Sequence, residues 1–377
     1  MVKKFIILLV ILLFIPTITI KSYATDSSIP EEYEELLDEL PDDIQELLPE
    51  GIFSNNPDEI IASINEMNSW EYIINYIFDL FGLNLRNVIE MLSIILSVLA
   101  TSSIINAIKK IFNNQATIRI LEMLSSAILV ATVIELSKQP LEKTMLLLDN
   151  IKLFSNTLSP LITTMYAMGG NVSMALINNY GMIVFLTIFE NICILSLEMI
   201  LGVCLSLTLA SAFIGDANLI PMSSAIKKGF TFFVGLIMLV FTTVISTQSL
   251  LASKADTLTS KTAKMLASQM IPVVGNTIGE SLRTAGASIE YLRSSVGVGL
   301  LIIFVILVLP TIISVFLYRI VFIISNSIAG LLGCRKEGSV LMELSSIYGY
   351  ALAILSISAI SLLFLITVFA KSSSPLT

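Results

Sequence analysis

Histidine is absent from this chain of 377 residues, which removes the commonest general base and the commonest metal ligand in proteins. Charged residues are also scarce, at 13% of the sequence against 55% hydrophobic residues. This balance, with a mean hydropathy of +0.89, lies outside the usual range for a water-soluble globular domain. The sequence therefore predicts a protein embedded in a membrane and argues against an enzyme.

Cysteine is limited to three residues that lie far apart and form no C-x-x-C pair: Cys193, Cys204 and Cys334. Their apolar surroundings favour small buried hydrophobes over a disulfide or a metal role. Phosphate-binding G-x-x-x-x-G-K-[ST], G-x-S-x-G and H-E-x-x-H motifs are missing as well. We therefore predict no catalytic residue, no cofactor, no cofactor-binding residue and no metal ligand, so that any energy for transport comes from a partner.

The negative charge of the chain is concentrated in one segment. The formal net charge is −8, yet residues 26–86 alone hold sixteen carboxylates and one arginine. Such a segment is repelled by phosphate, which argues against nucleic-acid binding. Its Glu and Asp clusters alternate with Leu, Ile and Tyr and are interrupted by prolines, which predicts short amphipathic helices joined by turns. We interpret residues 25–86 as an acidic extracytoplasmic segment, favouring a solvated spacer over a surface that docks on a partner.

The start of the chain combines Lys3 and Lys4 with an apolar run from Phe5 to Ile15, followed by Ser22-Tyr23-Ala24. A basic start, a short apolar core and small residues at the cleavage site are typical of a signal peptide. We predict that residues 1–24 are a signal peptide that exports the acidic segment. The alternative is an uncleaved anchor, although this run is short of the ~20 residues that span a bilayer.

Residues 87–140 predict a transmembrane hairpin with spans at Val88–Ile108 and Ile118–Ser137. Its short loop is basic, and cytoplasmic loops of membrane proteins carry an excess of Lys and Arg. The loop residues are Lys109, Lys110 and Arg119. Export of the acidic segment places this loop in the cytoplasm, so the signal peptide and the loop charge predict the same orientation.

The remainder follows one plan twice, with copies at residues 141–252 and 253–377, although any helical membrane protein alternates spans with polar linkers. Each copy has a break, a long apolar stretch (Tyr180–Ile214 or Val296–Leu332) and a final span. A stretch of this length is about 50 Å as one helix, more than the ~30 Å hydrocarbon core. One bent helix in each copy gives six spans, which we favour, and a hairpin in each gives eight. The residues predicted to break or bend helices are Pro160, Gly169, Gly170, Pro272, Gly275 and Pro310.

Ionisable side chains inside apolar spans are costly and are therefore functional candidates. Glu190 and Glu198 lie eight residues apart, on one face of a helix, and Arg319 lies at a comparable place in the second copy. We predict an intramembrane ion pair between Glu198 and Arg319 that stabilises the bundle; a solute or proton path is the alternative. Three further acids lie close to span ends and reach the interface: Glu90, Glu122 and Glu135.

Several short segments, in this order and spacing, resemble the stage III sporulation protein AE family. They are Ser159-Pro160 to Gly169-Gly170, Lys261-Thr262-Ala263-Lys264, Ile271-Pro272-Val273-Val274-Gly275 and Arg293 to Gly297. Arg293 replaces an expected lysine with retention of charge. The resemblance adds to the fold predicted from the residues themselves, which is an all-α polytopic membrane protein with six to eight spans and a short helical acidic N-terminal segment.

The resemblance implies a permease-like subunit of the channel complex between mother cell and forespore, needed for endospore formation. It implies a position in the mother-cell membrane that surrounds the forespore. The implied partners are an ATPase, further membrane proteins and ring-forming extracytoplasmic subunits, alongside membrane lipid; a homo-oligomer is left open. The alternatives are a self-sufficient secondary transporter that uses Glu190 and Glu198, and a non-conducting scaffold of the complex.

Overall fold

A computed structural model describes most of the chain, including the backbone but not the side chains of residues 275–294. The described ranges are 31–45, 48–54, 56–67, 69–109, 111–112, 114–168, 183–214, 221–243, 247 and 275–371. The predicted signal peptide at residues 1–24 lies outside them, as do Lys261–Lys264 and three of the predicted breakers, Gly169, Gly170 and Pro272.

Throughout these ranges the secondary structure is helical, without strands. The N-terminal helices are α1 (Glu31–Asp38), α2 (Asp42–Gln45) and α3 (Pro57–Met67), with a 3-10 turn at Glu50–Phe53. The long helices are α4 (Trp70–Lys109), α5 (Gln115–Met168), α6 (Ile183–Ile214), α7 (Pro221–Thr243), α8 (Gly275–Leu331) and α9 (Arg335–Lys371). Within the described residues, α4 to α9 are the six helices long and apolar enough to cross a membrane. The predicted all-α polytopic fold is confirmed, with six candidate spans.

The acidic segment folds as the prolines predict. Pro57 is the first residue of α3, where its fixed φ suits the helix and its missing N–H costs nothing. Asn56 caps the same helix, because its Oδ1 accepts the backbone N–H of Asp58 at 3.1 Å. Pro49 likewise precedes the 3-10 turn. These local signals explain why a strongly charged stretch forms helices at all.

The acidic segment packs onto the long helices, so the spacer interpretation was wrong. The apolar side chains of α1 and α3 are buried, among them Leu36, Leu37 and Ile64. On the polar side of α1, Thr164 of α5 donates a hydrogen bond of 2.8 Å to Glu32. The segment therefore covers the side of α5 and the N-terminal half of α8, where Ile64 lies against Gly299.

Tyr33 of α1 offers a test of this packing. Its ring is 1% exposed and its hydroxyl has no hydrogen-bond partner among the described residues. Burial raises the pKa of the phenol above its ordinary value of 10.0, so the stability that depends on neutral Tyr33 is present below pH 10 and lost as the pH rises further. We expect Tyr33→Phe to leave the midpoint of thermal unfolding at neutral pH unchanged or slightly raised, because it removes an unsatisfied hydroxyl. The variant should also lose less stability above pH 10. A marked drop at neutral pH would show that the hydroxyl has a partner.

Helix α5 is longer than the sequence predicts. The second hairpin span was expected to end at Ser137, but α5 continues through Pro140 and Pro160 to Met168. The predicted boundary between residues 140 and 141 falls inside it, and Pro160 does not break it. At 54 residues the helix is roughly 80 Å long, more than twice the thickness of the hydrocarbon core. Its second half is amphipathic and carries the contacts to α1.

Helices α8 and α9 form an antiparallel hairpin with a tight turn. Gly333 adopts a φ of 74°, the left-handed conformation that glycine tolerates best. The N–H of Cys334 bonds to Ala329 O at 2.8 Å and that of Gly333 to Gly330 O at 3.3 Å, the hydrogen-bond pattern of a Schellman C-cap. Pro310 lies within α8 without ending it. The second apolar stretch is therefore one helix, as in the six-span prediction.

The overlong apolar stretch is accommodated because protein covers its N-terminal half. From Ser295 to Leu309 nearly every α8 side chain is buried, as expected for a helix that is apolar all round. Phe304 packs on Phe154 of α5 with ring centroids 5.4 Å apart. Tyr76 of α4 donates a hydrogen bond of 3.0 Å to Ile306 O. The surplus length packs inside a helical assembly, together with the acidic segment.

The helices also define two opposite ends of the bundle. At one end, Asn106 of α4 contacts Cys334 in the α8–α9 turn at 3.4 Å; we call this the loop end. At the other, Tyr166 of α5 packs on Phe369 of α9 with centroids 5.5 Å apart, close to the acidic segment. The acidic segment and the loop that follows Lys109 are thus at opposite ends, as the predicted topology requires. The orientation of the bundle in the membrane stays a prediction, and so does the internal repeat.

Candidate functional site

The predicted pair between Glu198 and Arg319 does not form within the chain. The ion pairs among the described residues are Lys109–Glu122, Lys227–Glu343 and Lys336–Glu122. Glu198 is exposed on the outer face of α6. The guanidinium of Arg319 instead packs against α9, where a Cβ on Gly349 would lie 3.1 Å from Arg319 Cζ.

The ion pair found deepest in the bundle joins α7 to α9. Lys227 Nζ lies 2.5 Å from Glu343 Oε1, and the two side chains are 6% and 3% exposed. Ser223, one turn before Lys227, donates a second hydrogen bond to the same oxygen. The two donors stabilise the buried Glu343 carboxylate. Without such hydrogen bonds, the free-energy cost of desolvating an ion pair can exceed its Coulombic attraction.

Polar groups continue from this pair along the buried face of α6. Cys204 Sγ lies 4.0 Å from Ser223 O. The phenol of Tyr350 on α9 follows, close enough to Cys204, Cys193 and Ser196 to interact with them. Its hydroxyl faces Ser196 from beyond ordinary hydrogen-bonding distance, and it has no closer partner in the part of the chain that the structure describes. These groups form a row between α6 and α9, away from the exposed surface.

Glu190 lies at the other end of this row. Its carboxylate is buried, at 1% exposure, and forms no ion pair among the described residues. The Ser155 hydroxyl faces it from beyond ordinary hydrogen-bonding distance. Ser155 and Lys152 of α5 are its polar neighbours, and Lys152 bonds to Asn191 at 2.8 Å on the exposed side. Glu190 also interacts with Cys193. We call the set Glu190, Cys193, Ser196, Tyr350, Cys204, Ser223, Lys227 and Glu343 the buried polar row.

The row follows the bundle axis. Glu190 and Cys204 are fourteen residues apart in one helix, which corresponds to roughly 21 Å. A buried carboxylate therefore stands at each end, with hydroxyl and thiol groups between them. An unpaired polar group in an apolar interior is costly, and ionisable residues in spans commonly mark ion or solute paths. The arrangement is suited to passing a small cation or a proton between polar groups.

A second polar cluster joins the two hairpins at the loop end. The Glu337 carboxylate is buried, with Ser125 Oγ 2.5 Å from its Oε1. Ser125 also lies 2.9 Å from Ser102 Oγ of α4. Glu337 is in the first turn of α9, where a carboxylate is stabilised by the helix dipole. Glu122 bridges Lys109 and Lys336 near the surface. The cluster links α4, α5 and α9 at the loop end, so its role is to hold these helices together.

Sequence reasoning identified Glu190 but missed Lys227, Glu343 and Glu337. Lys227 lies inside α7, one turn after Ser223. Glu343 lies inside α9. The spacing of four between Ser223 and Lys227 was the available signal, because it puts two donors on one helix face. Glu90 and Glu135 are exposed.

Among the described residues, no group of three or more cysteine, aspartate or glutamate side chains could hold a metal ion.

Comparison with known proteins identifies the family of the chain. The model of the stage III sporulation protein AE family matches residues 56–373, which is most of the chain. The chain belongs to the stage III sporulation protein AE family. The resemblance noted from the short segments is thus confirmed. No curated protein and no solved structure matches the chain.

Membership in this AE family assigns the chain to stage III of sporulation. The match begins at residue 56, just before α3, and ends at residue 373, just after α9. It therefore includes α3, which covers α8, and all eight residues of the buried polar row. The row is part of the matched region and not of a segment added to it.

Proposed function

We propose that this AE family member is the multi-pass, permease-like subunit of the channel complex between mother cell and forespore. The observation that carries the proposal is the buried polar row, which joins two buried carboxylates across the inside of a six-helix bundle. A scaffold that only anchors other proteins does not require a buried carboxylate without an ion pair, such as that of Glu190. In this proposal the chain resides in the mother-cell membrane around the forespore, with the acidic segment extracytoplasmic.

The proposal also includes partners, because the sequence has no nucleotide-binding motif to supply energy. An ATPase, other membrane subunits and ring-forming extracytoplasmic subunits would complete the channel. Affinity purification from sporulating cells, with identification of the co-purifying proteins, tests this part. Recovery of the tagged chain without any other sporulation protein would contradict it.

Glu190→Gln tests the conducting part. The amide of glutamine can keep the contact with the Ser155 hydroxyl, and removing a buried charge that has no ion pair should not destabilise the bundle. We expect the variant to accumulate to at least the wild-type level, yet to lower the yield of heat-resistant spores roughly a hundredfold, the order of effect of removing a positioned proton-transfer group. Glu142→Gln, an exposed acid on α5, is the matched control and should sporulate normally.

Two results would favour other functions. Normal spore yield from Glu190→Gln, at normal protein level, would show that the row is not used and would favour the scaffold. Purified chain in liposomes that moves protons or solutes without partners would favour the self-sufficient transporter, now with Glu190 and Glu343 in place of Glu198. In the proposed function, flux appears only when the partner proteins are present.

A further inference from the structure

Glu198 and Arg319 carry opposite charges in the spans, and neither has an ion-pair partner among the residues that the structure describes. Glu198 lies on the outer face of α6 among exposed apolar side chains, with Leu195 55% and Met199 47% exposed. Arg319 is half-buried between α8 and α9, four residues before the exposed Ile323. Its Nε is buried and has no hydrogen-bond partner among the described residues. Unpaired charges in membrane spans are unfavourable, so a partner outside the chain would stabilise each of them.

The two charges lie at the same depth in the bundle, as α9 shows. The Arg319 guanidinium packs on Gly349. The next residue, Tyr350, lies beside Ser196 of α6, which is two residues before Glu198. Along the bundle axis, the two charges are therefore within about one helical turn of each other, or ~5 Å. Oppositely charged groups at one depth can meet when two bundles stand side by side in a membrane.

They cannot meet inside one chain, because α9 separates them. Arg319 contacts α9 from the α8 side, and Ser196 contacts α9 from the α6 side. The charges consequently belong to two different faces of the same molecule. Complementary patches on different faces generate head-to-tail contacts, which repeat from copy to copy and close into a ring when the rotation permits.

We propose that copies of this chain bind one another in the membrane through the outer face of α6 and the α8–α9 edge, with Glu198 paired to Arg319 of the neighbouring copy. The α6 face suits close contact: Gly202 and Ser206 follow Glu198 at one-turn intervals and are exposed, and small residues at this spacing let helices approach. A Cβ on Gly202 would meet nothing within 4 Å. The proposal concerns assembly and goes beyond what the complex conducts.

Cysteine cross-linking in native membranes tests the contact with both charges in place. Gly202 and Ile323 each lie one turn beyond their charge toward the loop end, and both are exposed. One copy with Gly202→Cys and a second, differently sized copy with Ile323→Cys would be produced together. We expect a cross-linked product of mixed size. The native cysteines are buried, so a chain without introduced cysteines provides the background.

Charge variants then test the pair itself. Glu198→Gln, introduced into the Gly202→Cys copy, should lower the mixed product roughly tenfold. Glu198→Arg and Arg319→Glu, made together in both copies, should restore it. Glu135→Gln, which neutralises an exposed acid of α5, should have no effect. Protein level in the membrane is measured for each variant, so that loss of folding is not mistaken for loss of contact.

The proposal is overturned if no mixed product forms with wild-type charges. It is also overturned if cross-linking survives Glu198→Gln undiminished, or if the swapped pair fails to restore it while the protein level is normal. A product made only between two Gly202→Cys copies would indicate a symmetric contact, which contradicts the head-to-tail arrangement.

Discussion

Lys227→Met is expected to destabilise the bundle by about 3–5 kcal/mol, because it leaves Glu343 buried without its counter-charge. Glu343 is 3% exposed, and Lys227 Nζ is 2.5 Å from its Oε1. Ser223 alone would remain as a donor. The measurement is the free energy of unfolding in detergent, followed by helical signal against denaturant, together with the amount of protein in the membrane.

A control variant changes the adjacent lysine, and a double variant removes both charges of the pair. Lys228→Met changes the adjacent, exposed lysine and should alter stability by less than about 0.5 kcal/mol. Combining Lys227→Met with Glu343→Leu removes both charges and should recover much of the loss, since well-packed apolar pairs often replace buried ion pairs without penalty. If Lys227→Met is as stable as wild type, the carboxylate does not depend on the lysine.

Gly297→Leu is expected to cost about 3 kcal/mol, at the upper end for an overpacked site. A Cβ at this position would lie 2.6 Å from Ala370 Cβ and 3.0 Å from Ala370 Cα. The second of these atoms belongs to the backbone of α9, so the helices have to move apart. We expect a lower midpoint of thermal unfolding and reduced accumulation in the membrane.

Gly229→Leu is the matched control for this substitution. It makes the same change on α7, where a Cβ meets nothing within 4 Å, and leucine also has the better helix propensity. Its stability should therefore equal or exceed that of wild type. Equal losses in the two variants would attribute the effect to the added side chain in general and not to the contact of α8 with α9.

Local signals in the sequence predicted the local structure well. The alternation of acidic and apolar residues and the prolines predicted the short helices of the acidic segment, with Pro57 at the first position of α3. Long apolar runs predicted the spans, and Lys109 stands at the end of α4 as the loop charge suggested. Each of these signals lies within a few residues of the feature it predicts. Such signals act through the backbone of the same segment and can be read without knowing the fold.

The errors concern contacts between distant segments. Proline normally disfavours a helix interior, yet α5 continues through Pro140 and Pro160 where other helices pack around it. Lys227 and Glu343 are 116 residues apart, so nothing local to either residue shows that they meet. The predicted Glu198–Arg319 pair assumed that residues at comparable places in two copies face each other. The intervening α9 prevents this within one chain.

The cover over the N-terminal half of α8 has a consequence for biosynthesis. Tyr76 and Ile306 are 230 residues apart, and Glu32 and Thr164 are 132 apart. If the acidic segment leaves the ribosome first and is exported, its apolar side chains remain exposed until α5 and then α8 have been synthesised. During that interval Leu36, Leu37 and Ile64 would be accessible to proteases and to folding helpers outside the cytoplasm. A brief protease treatment during synthesis should therefore cut the segment in nascent chains that stop before α8, and spare it in finished ones.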